Sequence, residues 1–302
     1  LVAAERDGQN GHGLSRVASY AEQIRCGKVK KDAAPAARRL SPAATLIDAG
    51  HGFAYPAIDL AIDELGDLAR KSVIALAAVR RSHHFGQAGA HVERLAEKGL
   101  VAFLFGNSPK AMAFWGGKAP MIGTNPVAFA APLAESPPLV VDLALSVAAR
   151  GKVMAAKKAG EKIPADWAFD AEGEPTTDPG AALNGSMAPV GGAKGAALAL
   201  MIEVVAAALT ASNFGFEASS FLDGEGPPPD VGHILIAIDP GPTSGGAYHA
   251  RMAVLAAAMA AEAGVRMPGA TRLKNRAAAE KSGLAVAPAL LAELRALAGE
   301  AA

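Results

Sequence analysis

The chain has 302 residues, 51% of them hydrophobic, so it can bury a large core and does not have the composition of a disordered protein. Its 29 basic and 29 acidic residues balance, and no stripe of Lys or Arg interleaved with aromatic residues occurs, which argues against a nucleic-acid partner. The single cysteine, Cys26, excludes an internal disulfide framework and a cysteine-rich zinc site, and it fits a reducing cytoplasm.

Hydrophobic periodicity predicts an α/β chain. In chain order, the pattern indicates helices at residues 13–26, 56–71, 88–99, 195–210, 247–264 and 288–298. It indicates strands at 72–79, 100–105, 127–131, 139–143 and 233–239. The helix at 195–210 is shorter than the roughly 20 apolar residues that a bilayer span needs and it carries Glu203, so we expect a core helix and no membrane partner.

Predicted helices dominate both ends of the chain, and most predicted strands lie in its middle. We therefore expect a discontinuous helix-rich lobe formed by residues 1–80 plus 265–302, and a sheet-containing lobe, residues 81–264, that binds cofactor and substrate. Segments rich in Gly and Pro at 106–126, 160–189 and 213–232 are too long for plain connections, so each is predicted to be functional or protruding.

Two polar residues near the N-terminus, His12 and Arg16, are one helical turn apart and are predicted to share a helix face. A histidine so placed can protonate a carbonyl oxygen, and an arginine can hold a carboxylate through two parallel hydrogen bonds. The alternative is that His12 merely borders the helix and that Arg16 belongs to a solvated face. Spacing alone leaves both interpretations open.

A second histidine pair, His83 and His84, follows an apolar run that predicts a strand, and loop positions after strands favour functional residues. The helix predicted after this turn has an N-terminus that can receive an anion. His84 and His91 do not have the spacing of a helical zinc pair, and no acidic ligand lies close in sequence, so we predict no metal site.

A glycine-rich turn at residues 191–195 includes Lys194 and leads into a predicted helix, so it either cradles a phosphate or simply starts the helix. Neither a Walker loop nor a G-x-G-x-x-G motif after a strand occurs, so the usual nucleotide fingerprints are absent from the sequence. Asp142, near the end of a predicted strand, either contacts a ribose or caps the following helix.

Segments in the same order along nearly the whole chain resemble the malate/L-lactate dehydrogenase family. These segments are GHGLSRV at 11–17, SHHFGQAG at 82–89, NSPKAMAFWGGKAPMIGTNPVAFAAP at 107–132, PLVVDLALS at 138–146, IPADWAFDAEGEPTTDP at 163–179, GGAKGAALALMIE at 191–203 and ILIAIDP at 234–240. The Trp-Gly-Gly to Gly-Thr-Asn-Pro block is the most specific of them.

The resemblance implies a non-Rossmann α/β fold with a central mixed sheet lobe and a discontinuous helical lobe, and it explains the missing dinucleotide fingerprint. It also implies a homodimer that uses NAD or NADP, whereas the cytoplasmic location is expected from composition alone. The expected reaction is hydride transfer between the nicotinamide and C2 of a small 2-oxo or 2-hydroxy carboxylate.

The resemblance assigns roles to particular positions. It makes His12 the group that exchanges a proton with the substrate and His84 a second catalytic residue, while Arg16 anchors the substrate carboxylate and Thr124 contacts the substrate. The positions expected to bind the cofactor are His84, Phe85, Gly86 and Gln87 beside the nicotinamide, Asp142, Leu143 and Ala144 along it, Lys194 at a phosphate, and Gly269 and Arg272 at the adenosine end.

The chain departs from the family pattern in ways that leave the substrate open. Gly11 stands where the family usually has a serine that assists the histidine, and Ala270 replaces an acid. Arg150 and Lys152 fit hydroxy-acid dehydrogenases, because ketimine reductases carry an acid near the second position. By contrast, the insert at 214–232 and the segment at 25–29 resemble a branch that reduces proline-related imines.

Two alternatives therefore accompany the dehydrogenase interpretation. The first is a reductase of cyclic ketimines, Δ1-pyrroline-2-carboxylate or Δ1-piperideine-2-carboxylate, which would use the same carboxylate anchor and proton donor. The second is a nicotinamide-binding protein with little catalysis, which follows if the serine that Gly11 replaces is indispensable. Turnover assays with open-chain acids and cyclic imines distinguish the three.

Overall fold

The computed structural model describes residues 1–299, which form eleven α-helices, eleven strands and three short 3-10 turns. The helices are α1 Val2–Arg6, α2 Val17–Arg25, α3 Ala54–Ser72, α4 Ala88–Glu97, α5 Arg150–Ala159, α6 Pro179–Asn184, α7 Ala193–Ala206, α8 Pro240–Thr243, α9 Tyr248–Ala261, α10 Ala270–Ser282 and α11 Pro288–Leu297. The strands are β1 Ala36–Ser41, β2 Ala44–Asp48, β3 Ile74–Ser82, β4 Val101–Gly106, β5 Met112–Ala113, β6 Pro120–Ile122, β7 Val127–Ala131, β8 Leu139–Leu143, β9 Ala168–Phe169, β10 Ser186–Met187 and β11 Val231–Ile238. The 3-10 turns are Asn10–His12, Leu14–Arg16 and Ala208–Thr210.

Seven strands form one mixed sheet in the order β1-β2-β3-β11-β4-β7-β8. The pair β2 and β3 is parallel, and every other neighbouring pair in this sheet is antiparallel. The central mixed sheet that the sequence predicts is therefore confirmed. All five predicted strands belong to it, as β3, β4, β7, β8 and β11, with bounds within a few residues of the prediction.

Helices cover both faces of the sheet because its strands alternate their apolar side chains. In β4, Ala102 and Leu104 are buried with α3 and α4 in one core, while Phe105 packs against a second core that includes residues of α7. In α3, buried residues such as Ile58 and Leu65 recur at helical spacing, which gives this long helix the apolar stripe that faces the sheet.

Helix α7 together with the turn after it, residues 193–210, is long and apolar enough by those two criteria to cross a membrane. Its packing is that of the predicted core helix, since Ala199, Ile202 and Ala206 are fully buried in the second core. Glu203 on the same helix is buried and accepts hydrogen bonds from Asn125 Nδ2 at 2.6 Å and from the amide of Gly215.

Several elements were absent from the sequence prediction. Within the first eighty residues, expected to be helix-rich, β1 and β2 extend the sheet beside β3. Helices α5 and α10 were also missed, and each of them buries only one residue, Val153 and Arg272 respectively. Their faces therefore carry no continuous apolar stripe for periodicity to detect. The division into residues 1–80 plus 265–302 and 81–264 stays a prediction, and residues 300–302 lie outside the described part of the chain.

Candidate active site

A cavity of about 970 Å³ brings together eight of the residues predicted for the site. Those eight are His12, Arg16, His84, Phe85, Gly86, Thr124, Asp142 and Ala144. They come from the N-terminal turns, the end of β3, the loop before β7 and the end of β8, so the cavity lies where these segments meet. Its volume is within the range of roughly 300–1,000 Å³ that is typical of small-molecule and cofactor sites.

His12 ends the first of two consecutive 3-10 turns, and the carboxylate of Glu5 supports the second by accepting the amide of Leu14 at 2.9 Å. His12 Nδ1 lies 3.1 Å from His84 Nε2, and the two rings stack with centroids 5.1 Å apart. His84 Nδ1 in turn lies 2.5 Å from the hydroxyl of Tyr20 on α2. No protein hydrogen bond to His12 Nε2 is found within residues 1–299, so this nitrogen is available to a substrate.

Burial governs the protonation of both histidines. It lowers the pKa of His12 to about 4, with a further lowering from the positive charge of Arg16. It also lowers the pKa of His84 well below its usual value, and Arg16 and His12 add to that effect. Both imidazoles are therefore neutral near pH 7 in the free protein.

Arg16 combines a fixed position with free hydrogen-bonding capacity. Its Nε donates to the carbonyl of Gly11 at 2.6 Å, which anchors the guanidinium beside His12. Its Nη1 is buried and has no partner among the described residues. Burial lowers the pKa of this guanidinium, which signals incomplete solvation of its charge. A carboxylate is the ligand that would satisfy such a group, because its two oxygens accept parallel hydrogen bonds.

Two further cations line the same cavity, and neither was predicted as a site residue. Lys110 is exposed on the loop between β4 and β5, and its amide donates to the carbonyl of Gly215. Arg150 begins α5, and its Nη2 donates to the carbonyl of Leu183 at 2.9 Å. Burial lowers the pKa of Arg150. The cavity therefore presents three cationic side chains, which the spacing within any single motif does not reveal.

Asp142 binds the N-terminus of α4, the helix terminus for which the sequence predicted an anionic ligand. Its Oδ2 accepts the amide of Gly89 at the start of α4 at 2.8 Å, so the helix after the histidine turn is met by a carboxylate of the protein itself. Burial raises the pKa of Asp142, partly offset by the hydrogen bond from Gly89. Asp142 therefore does not cap the helix that follows it in sequence but binds the start of α4, and its contact with a ribose stays a prediction.

One wall of the cavity is the loop before β11, which includes Phe221, and its shape depends on a buried lysine. Lys28 is only 2% exposed, and its ammonium donates to the carbonyls of Ser220, Asp223 and Glu225 at 2.7, 3.1 and 2.7 Å. Three carbonyl acceptors satisfy the three donors of an ammonium, so the charge is compensated and the loop is held closed around it. The sequence pointed to both segments, 25–29 and 214–232, but did not indicate that they are in contact.

Five predicted cofactor residues do not line this cavity: Gln87, Leu143, Lys194, Gly269 and Arg272. Gln87 is buried and donates to Asp7 at 3.1 Å, whereas Leu143 and Lys194 are exposed. Lys194 lies in the first turn of α7, where backbone amides have no helical acceptors. All five assignments stay predictions.

The segment predicted to hold the adenosine end nevertheless lies beside the strand that supplies Asp142. Gly269 has φ +82°, and a Cβ on it would lie 3.3 Å from the carbonyl oxygen of Val140 in β8. Arg272, on the next helix, pairs with buried Glu93 at 3.0 Å and keeps a buried Nε without a partner. Gly269 thus approaches the strand that contributes Asp142 to the cavity, and a contact between this segment and a dinucleotide stays a prediction. Within residues 1–299 no group of three or more His, Cys, Asp or Glu side chains is arranged to hold a metal.

Comparisons with known proteins agree over nearly the full chain. Residues 1–295 match the family model described as malate/L-lactate dehydrogenase. A protein of Chromohalobacter salexigens named (2R)-3-sulfolactate dehydrogenase (NADP(+)) is 52% identical over 99% of this chain and 89% of its own length. A Delta(1)-pyrroline-2-carboxylate reductase of Ancylobacter novellus is 39% identical over 98% of this chain and 88% of its own length.

Solved structures show the same fold. The crystal structure of delta1-piperideine-2-carboxylate reductase from Pseudomonas syringae pvar. tomato has a TM-score of 0.92 and 38% identity, covering 98% of this chain and 89% of that one. Sulfolactate dehydrogenase from Methanocaldococcus jannaschii has a TM-score of 0.90 and 28% identity, covering 98% and 87%. The similarity therefore spans the sheet, both cores and the cavity.

Proposed function

Because the chain belongs to the malate/L-lactate dehydrogenase family, we propose that its substrate is a 2-oxo or 2-hydroxy carboxylate that carries a second acidic group, and that its cofactor is NADP. The family and the relatives make it an NAD(P)-dependent oxidoreductase that transfers hydride to or from small carboxylates. What remains to be assigned is the substrate within that class and the choice between the two dinucleotides.

The observation that carries the proposal is the set of three cations, Arg16, Lys110 and Arg150, around one cavity. Arg16 stands beside His12 and suits the carboxylate next to the reacting carbon. A second anionic group would pair with Arg150, whose charge is partly desolvated, or with Lys110 at the cavity rim. The 52% identical relative is named for 3-sulfolactate and NADP(+), and sulfolactate has one carboxylate and one sulfonate.

Several residues of the cavity have separate roles in the proposed reaction. A nicotinamide dinucleotide, when bound, would supply or accept the hydride at C2. Arg16 holds the carboxylate, so that C2 and its oxygen face the histidine pair. His12 Nε2 gives a proton to the developing alkoxide in reduction and takes the hydroxyl proton in oxidation. Phe85 and Phe221 contribute apolar surface to the same cavity.

The cyclic ketimine reductase stays as the second candidate, because a relative of 39% identity and a structure of TM-score 0.92 carry that activity in their names. A cyclic imine carboxylate is a single anion, so it would engage Arg16 and leave Arg150 without an anionic partner. The third candidate is a nicotinamide-binding protein with little catalysis, and any turnover above background would contradict it.

The test is a set of initial rates of NADPH and NADH oxidation with 3-sulfopyruvate, oxaloacetate, pyruvate, Δ1-pyrroline-2-carboxylate and Δ1-piperideine-2-carboxylate. We expect the highest kcat/KM with a dianionic 2-oxo acid and NADPH. Pyruvate matches the reacting group but lacks the second anion, so it serves as the internal control. A preference for the cyclic imines over both dianions would overturn the proposal in favour of the reductase.

The variant that tests the second anchor is Arg150→Met. Loss of a partly buried cationic partner should raise KM for the preferred dianion on the order of 10–10² fold. KM for pyruvate should change by less than about threefold, since it has no second anion to lose. Lys157→Met, an exposed lysine on the same helix, is the matched control. An equal rise in KM for pyruvate and for the dianion would show that Arg150 does not bind the second anionic group.

We propose in addition that the protein is a homodimer. The face of α7 away from the sheet exposes Leu198, Met201 and Val204 by 39, 48 and 49%, and such an apolar stripe on a core helix is typical of an interface between subunits. Light scattering should give about twice the 30.4 kDa of one chain. Met201→Lys should shift the mass towards one chain, whereas Ala171→Lys at an exposed loop should not. A single-chain mass for the unaltered protein would refute the dimer.

The proposed location is the cytoplasm. Cys26 is an exposed free thiol in the structure, and such a thiol persists in a reducing compartment.

A further inference from the structure

We propose that Tyr20 is a positioning residue, which fixes the tautomer of His84 and thereby makes Nε2 the proton-transferring nitrogen of His12. This inference rests on the proposed function, because it assigns how the histidine that serves the substrate is oriented. It concerns only side chains of this chain and has a readout that does not depend on cofactor or substrate.

The geometry is a continuous line of four polar side chains that ends at the cavity. His12 Nδ1 lies 3.1 Å from His84 Nε2, and His84 Nδ1 lies 2.5 Å from the hydroxyl of Tyr20. The hydroxyl of Tyr20 lies 3.4 Å from that of Tyr55 on α3. Each nitrogen of His84 thus has one partner, and only His12 Nε2 at the cavity end has none within residues 1–299.

The hydrogen bonds along this line can run from His12 towards Tyr55 or in the opposite direction, and only the first direction allows the reaction. For oxidation, neutral His12 must accept a proton at Nε2, so its own hydrogen must be on Nδ1. That Nδ1–H donates to His84 Nε2, which therefore cannot carry a hydrogen. His84 then carries its hydrogen on Nδ1 and donates it to the oxygen of Tyr20, whose hydrogen is directed to Tyr55.

The same arrangement serves reduction. His12 is then an imidazolium, its Nδ1–H still donates to His84 Nε2, and its Nε2–H passes to the substrate oxygen as the hydride reaches C2. The carbonyl π electrons become a lone pair on that oxygen, the new O–H bond takes the proton, and His12 returns to the neutral form. His84 and Tyr20 keep their hydrogens throughout, so they orient His12 without exchanging a proton with substrate.

The opposite direction would disable the site. If Tyr20 donated to His84 Nδ1, then His84 Nε2–H would point at His12 Nδ1, and neutral His12 would carry its hydrogen on Nε2. That imidazole has no free lone pair for the substrate hydroxyl. Tyr55 supplies the acceptor that lets the Tyr20 hydrogen turn away from His84.

The surroundings keep His84 and Tyr20, the two middle side chains of the line, uncharged. Burial lowers the pKa of His84 and raises that of Tyr20, with Tyr55 adding to the second effect, so one remains a neutral imidazole and the other a hydroxyl. The Tyr20 ring is 6% exposed and packs on Phe53 with centroids 4.6 Å apart. Phe221 packs on His84 at 5.3 Å, so neither ring is free to turn.

The primary experiment is imidazole ¹⁵N NMR of the cofactor-free protein near neutral pH, with signals assigned by single His→Gln variants. We expect neutral His84 with its hydrogen on Nδ1 and neutral His12 with its hydrogen on Nδ1. In Tyr20→Phe the His84 nitrogens should show a mixture of tautomers. A hydrogen on Nε2 of His84 in the unaltered protein would overturn the proposal, and this result needs no variant to fold.

Kinetics supply the second readout. Tyr20→Phe keeps the ring but removes the hydroxyl, so kcat should fall on the order of 10–10² fold while KM changes little. Tyr55→Phe should lower kcat by less, because it removes only the acceptor for the Tyr20 hydrogen. Tyr248→Phe, on α9, is the matched control. An unchanged kcat in Tyr20→Phe would refute a positioning role. If no tested acid turns over, the proposed function fails, and the NMR result still decides the tautomers.

Discussion

His12→Ala should lower kcat for reduction of the preferred 2-oxo acid by on the order of 10²–10⁴ fold, the usual contribution of a positioned acid or base. The physical reason is that His12 lines the cavity and that its Nε2 has no hydrogen-bond partner within residues 1–299. No neighbouring group in the line can replace it, since His84 and Tyr20 have their polar atoms occupied within the line. The measurement is steady-state kcat at saturating dinucleotide and substrate.

The control for this prediction separates chemistry from binding. Removal of the imidazole opens space beside the substrate but leaves the segment predicted to hold the adenosine end untouched, so the dissociation constant for NADPH should change by less than about threefold. His249→Ala, at an exposed position on α9, should leave all constants unchanged. Near-normal turnover in His12→Ala would remove His12 from the reaction, whereas a parallel loss of NADPH binding would indicate a structural defect.

The sequence predicts the histidine and arginine of this site but not their partners, for a physical reason. His12 and Arg16 are four residues apart, and local geometry places them together. Tyr20 continues the same spacing by another four residues, so the sequence also carries a signal for this side chain. The other cations of the cavity, Lys110 on a loop and Arg150 at the start of α5, lie more than ninety residues from Arg16 in the sequence, and no local rule brings them to one surface.

In the fold, too, some features follow from local sequence patterns and others do not. The five predicted strands are apolar, and four of them, β3, β11, β4 and β7, are interior strands of the sheet, whereas β8 lies at its edge. Strand β1, at the sheet edge, is exposed at every position, so its sequence lacks the alternation that marks a strand. Helices α5 and α10 each bury a single side chain. Sequence periodicity thus misses polar elements such as these, whereas it detects α9 and α11, which are apolar in sequence although they bury no residue.

Arg16→Met should reduce kcat/KM by on the order of 10²–10³ fold, because loss of one partner of a buried charge pair costs roughly 2–5 kcal/mol. Arg16→Lys should recover only part of the loss, since an ammonium cannot reproduce the two parallel hydrogen bonds of a guanidinium. Arg25→Met, on an exposed turn of α2, is the matched control. Rates of oxidation of substrate amides, which lack the carboxylate, should be the same in Arg16→Met and the unaltered enzyme at a pH where His12 is neutral in both; a further drop would contradict the anchoring role.

Arg16 should also set the pH dependence of the reaction, through its charge. The pKa of His12 is lowered to about 4, first by burial and then by the adjacent Arg16 cation. Reduction needs His12 protonated, so kcat/KM for reduction should fall as pH rises above that value, while oxidation, which needs it neutral, should be insensitive there. Arg16→Met removes a cation that opposes protonation, so the pKa of His12 should rise. An NMR titration of the His12 imidazole in both proteins measures the shift without substrate, and an unchanged or lower midpoint in the variant would show that the two side chains do not interact electrostatically.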